Sequence, residues 1–125
     1  MGISDSFSFW VNSDVCEIVT HSQLPKDRLT FLLDFVFKAY APIAIISQSM
    51  NNTEYAYTFA QLGSTIDLDK LLRILSQCEM GWSLSDNVLF SPRPSQLNFN
   101  DLMRAISAAR MPRQKAQLFP VPGDR

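Results

Sequence analysis

The 125-residue sequence has few of the residues that metal sites and covalent frameworks require, with only two cysteines and one histidine. Two cysteines cannot form a disulfide framework, and together with one histidine they fall short of a four-ligand zinc site. No haem attachment motif is present. We therefore expect no metal and no cofactor. We also expect Cys16 and Cys78 to be free thiols in a reduced, cytoplasmic compartment.

The sequence also lacks long apolar runs and a large excess of either positive or negative residues. The most apolar stretch, residues 29–46, contains Asp34, Lys38 and Pro42, so it falls short of a clean membrane span of about 18 residues. The N-terminus lacks the pattern of a signal peptide, and we attribute the match of Gly2 to an N-myristoylation motif to chance. Eleven Lys+Arg and twelve Asp+Glu give a net charge of −1. This balance excludes a protein that binds nucleic acid or acidic lipid through its overall charge.

Catalytic motifs are absent as well. The four glycines are too far apart for a phosphate-binding loop. His21 is the only imidazole, and the sequence around it supplies no nucleophile. Asp67 and Asp69 lie at a predicted helix start, where the helix dipole explains them. We expect no enzyme activity, and a small enzyme that uses carboxylates such as Glu17 and Asp69 is the third hypothesis.

Enough apolar material is present for a core, since 46% of the residues are hydrophobic. The length is typical of one domain, which we place at residues 1–111. Residues 112–125 are rich in proline and polar residues and have no helical stripe. They are predicted to form a mobile Pro-rich C-terminal tail.

A short pattern recurs three times. Segments that begin at Ser22, Ser64 and Ser95 share Ser-x-(Leu/Ile)-x-x-(Asp/Asn)-x-Leu, and each opens a helical stretch. Polar residues at a helix start accept hydrogen bonds from free N–H groups. The pattern suits a duplicated unit, but it also suits any capped amphipathic helix, and both interpretations stay open.

Each predicted helix follows a predicted β-hairpin. We place the turns at residues 12–13 and 51–52 and a three-residue loop at 85–87, which sets Phe9 opposite Cys16 and Leu84 opposite Val88. The order ββα-ββα-ββα predicts a two-layer α+β domain. It has an antiparallel sheet of about six strands with three helices on one face. The first helix is apolar nearly all round and is expected to supply the centre of the core, with Leu29, Phe31, Leu32, Phe35 and Val36.

The sheet face without helices is the leading candidate for a binding surface. Alternation along the first hairpin directs four side chains to this face: Trp10, Val15, Glu17 and Val19. Tryptophan is favoured at interfaces because it buries a large area and keeps a polar N–H. The sequence therefore predicts a non-catalytic protein-interaction module, such as an adaptor, an inhibitor or a secretion chaperone, that binds a protein partner or itself.

The order of helices and strands after residue 25 and the acidic pI near 5.7 loosely resemble those of small type III secretion chaperones. The leading hairpin departs from that pattern, so the resemblance is one of fold only.

The alternative hypothesis rests on uneven charge. Residues 1–80 carry a net charge of −4 and residues 81–125 a net charge of +3. Residues 104–115 contain four cations and no acid, namely Arg104, Arg110, Arg113 and Lys115. Such a segment suits a nucleic-acid-binding accessory protein. It also suits a solvated helix end whose cations complement the dipole.

Overall fold

The computed structural model describes residues 7–21, 24–51 and 53–112 as an α+β domain with a six-stranded sheet and three helices. The elements follow in this order: β1 (Phe7–Asn12), β2 (Val15–Thr20), α1 (Lys26–Ala39), β3 (Ile43–Ser49), β4 (Tyr55–Gln61), α2 (Leu68–Cys78), β5 (Ser83–Ser85), β6 (Val88–Phe90) and α3 (Phe99–Ala108). Within the sheet the strand order is β1-β2-β3-β4-β6-β5. None of the helices in these ranges has the length and apolarity needed to cross a membrane.

The sheet is mixed, so the prediction of a purely antiparallel sheet is wrong for one strand pair. β2 and β3 run parallel, with Val15 opposite Ile43, while the other neighbouring strands are antiparallel. A parallel pair requires a long crossover connection, which is usually a helix. Here α1 is that connection, because it links the end of β2 to the start of β3.

The helices cover both faces of the sheet, so the prediction of three helices on one face is wrong. On the face that we call the α1 face, Leu32 and Val36 of α1 pack with Cys16 and Ile46. On the other face, the α2/α3 face, both remaining helices pack over alternate residues of the same strands. These contacts include Leu71, Leu75, Leu102, Val15, Ile45 and Phe59. A central strand buried on both sides is typical of such a three-layer arrangement, and residues 43–46 are all buried.

Each helix begins four residues after the serine position of the repeated pattern, so the residue that caps the helix lies three residues after it. Asp67 caps α2 by accepting a hydrogen bond from the Lys70 N–H. Asn98 and Asp101 form a reciprocal capping box at the start of α3. At the corresponding position before α1 stands Pro25, which has no side-chain cap.

Only one stripe of α1 is buried. Leu32, Leu33 and Val36 face the sheet, whereas Phe31 is 74% and Phe35 is 44% exposed. The prediction that both phenylalanines belong to the centre of the core is therefore wrong, because a helix on a sheet buries only the side chains that point towards it. Apart from Pro112, the predicted tail lies outside the described residues and stays a prediction.

Candidate protein-binding surfaces

The first hairpin places three of the four predicted interface residues on the outer part of the α2/α3 face. Its turn is at Ser13 and Asp14, and Trp10 lies opposite Glu17. The Trp10 side chain is 62% exposed, and Glu17 and Val19 are half-buried. Helices α2 and α3 leave this part of the face open, which agrees with the residue alternation read from the sequence.

Val15 does not belong to this surface. Its side chain is only 3% exposed and packs with residues of α2 and α3. Arg110, just after α3, binds Asp14 through two N–H groups at 2.8 Å each. This ion pair joins the end of α3 to the first turn. Val15 lies in the core, so the prediction that its side chain is on the open face is wrong, whereas a role of Val15 in partner binding stays a prediction.

A cleft of about 540 Å³ opens on the same face beside Glu17. We call it the β2–α3 cleft. Ser47, Tyr57 and Ser95 are its deeply buried lining residues, and the segment 95–99 forms its border towards α3. The remaining lining residues are Glu17, Val19, Thr53, Glu54 and Tyr55.

Glu17 is the half-buried carboxylate of this cleft. The Ser47 Oγ donates a hydrogen bond to Glu17 Oε2 at 3.2 Å. Burial raises the pKa of Glu17, and the bond from Ser47 offsets part of this effect. Within the described ranges, no lysine or arginine lines the cleft and Glu17 forms no ion pair. The carboxylate therefore lies in a partly dry site without a cation.

Tyr57 is the second polar group of the cleft with a perturbed pKa. Burial is the main cause that raises the pKa of Tyr57 to about 12, and the charge of Glu17 adds to it. The Tyr57 hydroxyl donates to the Leu97 carbonyl at 2.9 Å. It therefore stays protonated at neutral pH and acts as a structural donor that holds the segment 95–99.

Glu79 holds the same segment from the other side. Its Oε1 accepts from Trp82 Nε1 at 3.0 Å and from Ser95 Oγ at 2.6 Å, and its Oε2 accepts from the Gln96 N–H. Glu79 lies at the end of α2, so one carboxylate joins three parts of the chain. Neither Glu79 nor the segment 95–99 was singled out as functional by the sequence, because long-range hydrogen bonds leave no periodic pattern.

A different apolar surface lies on the α1 face. The rings of Phe9, Phe35 and Tyr40 pack together, with centroids 5.5–6.3 Å apart. Val11 lies on the same face of β1 as Phe9, and Phe31 precedes Phe35 by one helical turn. We call these five residues the β1–α1 patch. Four of them are more than 40% exposed, namely Val11, Phe31, Phe35 and Tyr40.

The basic residues of the nucleic-acid hypothesis are only partly described. Arg110 forms the ion pair with Asp14, and Arg104 pairs with Asp101 at 3.2 Å. Arg113 and Lys115 lie outside the described residues. The two described cations thus have intramolecular partners, and the hypothesis that the segment 104–115 binds nucleic acid stays a prediction.

The structure does not bring the candidate catalytic groups together. Asp69 borders a different cleft at the start of α2, and His21 is exposed at the end of β2. Cys16 is fully buried, and burial raises the pKa of its thiol, which makes it a poor nucleophile. In the described part of the chain, no three His, Cys, Asp or Glu residues form a group that could hold a metal ion.

Comparison of the chain with models of known protein families gives no match, and comparison with curated protein sequences gives none either. The two surfaces described above are therefore the basis for a functional hypothesis.

The first prediction concerns the carboxylate in the β2–α3 cleft. A carboxyl group whose pKa is raised in the folded state destabilises that state once it ionises, so its destabilising effect appears as the pH rises through the pKa. We expect Glu17→Gln to raise the free energy of unfolding at pH 7 and to leave it unchanged at a pH where Glu17 is protonated. Urea denaturation at several pH values measures this, with exposed Asp69→Asn as the control. A loss of stability at pH 7 in Glu17→Gln would contradict the prediction.

Proposed function

We propose that the protein is a non-catalytic protein-interaction module that binds a second copy of itself through β1 and the β1–α1 patch. The observation that carries the proposal is that β1 is an edge strand without the residues that usually protect such an edge. Among the described residues it forms an edge of the sheet, and its six residues Phe7–Asn12 contain no charge and no proline.

Edge strands present backbone N–H and C=O groups that can pair with another chain. Soluble proteins usually protect such edges with short strands, charges, prolines or bulges. The opposite edge, β5, has three residues and is protected by its shortness. In β1, by contrast, all six residues pair in continuous register with β2 and no bulge interrupts them. An edge of this kind suits strand addition.

Exposed apolar side chains flank this edge on both faces of the sheet. Trp10 lies on the α2/α3 face, and the β1–α1 patch lies on the α1 face. Contiguous apolar patches on soluble domains mark interaction sites. Aromatic residues are also the commonest centres of binding energy in interfaces.

A second copy is the partner that fits these features. Two β1 strands related by a twofold axis pair antiparallel, so each strand offers the other the same apolar residues. The twofold axis also brings the two α1 helices to the same side of the joined sheets, where Phe31 and Phe35 flank the strands. A net charge of −1 gives little repulsion between copies.

Sedimentation equilibrium of the full chain tests the proposal. We expect the average mass to rise above 14.2 kDa with concentration, with a dissociation constant on the order of micromolar. Val11→Lys places a charge on the edge strand at a position that is 49% exposed. We expect it to weaken association by at least about tenfold while the monomer keeps its stability.

Met80→Lys is the matched control, because Met80 is 89% exposed and follows α2, away from the patch. A mass that stays at the monomer value over the whole concentration range would refute self-association. If the Val11 and Met80 variants weaken association equally, or if neither variant weakens it, the assignment of the interface to β1 is refuted. If the protein stays monomeric, a strand from a different protein is the remaining kind of partner for this edge.

A further inference from the structure

We propose that the β2–α3 cleft binds the side chain of an arginine or lysine in an extended segment of a partner polypeptide. This site lies on the sheet face opposite the β1–α1 patch, so the inference goes beyond the proposed self-association and does not depend on it.

The charges of the cleft favour a cation. Of the described residues that line it, Glu17 and Glu54 carry a charge. Arginines in the surrounding segments have other partners, because Arg93 donates to Gln48 at 2.6 Å and Arg104 pairs with Asp101. A guanidinium or ammonium group beside Glu17 would give the half-buried carboxylate the opposite charge that the described residues do not supply.

The same cleft is unsuited to an anion. The start of α3 borders it at Asn98 and Phe99, and a helix N-terminus can in principle attract anions. Here, however, the Asn98 side chain accepts from the Asp101 N–H, and the Asp101 side chain accepts from the Asn98 N–H. The capping box thus occupies these donors, and both nearby carboxylates, Glu17 and Glu54, repel an anionic ligand.

The borders of the cleft suit the aliphatic stem of a basic side chain. Val19, Tyr55, Leu97 and Phe99 supply apolar and aromatic surface around the acidic centre. Lysine and arginine bury their methylene groups against such surface while the charged end reaches a carboxylate. Ser47 lies beside Glu17 and holds its Oε2, so the carboxylate is fixed before a ligand arrives.

Trp10 extends the site along the sheet. It stands directly opposite Glu17 on the neighbouring strand, and its ring is largely exposed on the same face. A flexible partner segment that places its basic side chain in the cleft would therefore run past an indole ring, which can contact a further apolar or cationic side chain. An acidic cleft with an exposed tryptophan beside it favours a polypeptide over a small amine.

Three capped tripeptides serve as probes: acetyl-Gly-Arg-Gly-amide, acetyl-Gly-Lys-Gly-amide and acetyl-Gly-Gln-Gly-amide. We would titrate each up to about 10 mM into the ¹⁵N-labelled full chain, because one ion pair with apolar contacts gives millimolar affinity. We expect at least one basic peptide to shift the amide signals of Glu17 and of residues 95–99. The glutamine peptide has no charge and should leave them unchanged.

Glu17→Gln decides whether the cleft carboxylate is responsible. Glutamine has nearly the same shape and can still accept the bond from Ser47, so the fold should be kept and the signals far from the cleft should stay in place. We expect the dissociation constant of the basic peptide to rise at least about fivefold. Asp69→Asn removes an exposed carboxylate outside the cleft and should leave the dissociation constant of the basic peptide unchanged.

Three outcomes would overturn the proposal. They are shifts that map to another surface, equal shifts with the glutamine peptide, and an affinity that Glu17→Gln leaves unchanged. A monomeric protein in the sedimentation experiment would refute self-association without affecting this result, so the two proposals fail separately.

Discussion

Replacement of Phe59 by alanine is expected to lower the free energy of unfolding by about 3–5 kcal/mol. Phe59 is fully buried near the middle of β4, with Ile45 opposite it on β3 and Leu89 opposite it on β6. All three side chains belong to the cluster that also contains the buried residues of α2 and α3. Loss of the ring removes transfer free energy and leaves a cavity that the central strands cannot close.

Urea denaturation measures this effect, and two further variants make the result interpretable. Phe31→Ala is the matched control because Phe31 is 74% exposed in α1, and at low protein concentration it should cost less than about 0.5 kcal/mol. Phe59→Leu keeps most of the volume and should lie between the two, which covers the case in which Phe59→Ala does not fold. Equal effects of the two alanine variants would mean that the cluster under α2 and α3 does not stabilise the domain.

The first hairpin shows why the two faces of β1 and β2 could be predicted from the sequence. The prediction set Phe9 opposite Cys16, whereas Phe9 lies opposite Ile18. This difference of two residues changes the partner of each β1 residue but keeps every side chain on its predicted face, because side chains alternate with a period of two. Trp10 and Glu17 therefore share a face, as expected, although the turn lies one residue further along the chain.

In the third hairpin, by contrast, the error in the predicted register puts side chains on the wrong face of the sheet. The predicted three-residue loop set Leu84 opposite Val88, but Asp86 and Asn87 both have positive φ and form a two-residue turn. Leu84 then lies opposite Leu89. A difference of one residue reverses the faces of β6, so Leu89 is buried under α2 and α3, and Val88 packs with the α1 cluster. An Asp-Asn pair was the signal for the shorter turn.

Which face each helix covers could not be derived from helical periodicity. Each helix shows an apolar stripe, but a stripe does not state which side of the sheet it packs against. The available signal was the strand Ile43–Ser49, whose first four residues are all apolar. Such a run indicates a strand covered on both faces. The prediction left this run ambiguous between strand and helix. The sheet face that was predicted to carry no helices was consequently too large and included Val15.

The β2–α3 cleft was predictable only in part. Glu17 and Val19 were placed on a candidate surface by alternation, but their neighbours Ser47, Tyr57 and Leu97 come from distant parts of the chain. The segment that contains Leu97 is held by the carboxylate of Glu79, through contacts that no local pattern encodes. A test of that anchor is therefore also a test of how the cleft is built.

Glu79→Ala is expected to lower the free energy of unfolding by about 2–4 kcal/mol. The substitution removes the acceptor of the Trp82 indole N–H, the Ser95 hydroxyl and the Gln96 N–H. Trp82 and Ser95 are only 7% and 3% exposed, so water cannot easily replace the lost partner. An unsatisfied buried donor costs about 1–3 kcal/mol. We also expect faster hydrogen exchange at Gln96 and Leu97, because their anchor is gone.

Glu79→Gln and Asp69→Ala separate the hydrogen bonds from the general effect of removing a charge. Glutamine keeps one acceptor oxygen for Trp82 and Ser95 but offers an NH₂ group where Gln96 needs an acceptor, so its cost should be intermediate. Asp69 is exposed in the first turn of α2, and its replacement should cost a few tenths of a kcal/mol through the helix dipole. Urea denaturation gives the three stabilities, and amide exchange locates the loosened segment. Should Glu79→Ala cost no more than Asp69→Ala and leave exchange at Gln96 unchanged, the border of the β2–α3 cleft would have to be held by Tyr57 and the β4 backbone alone.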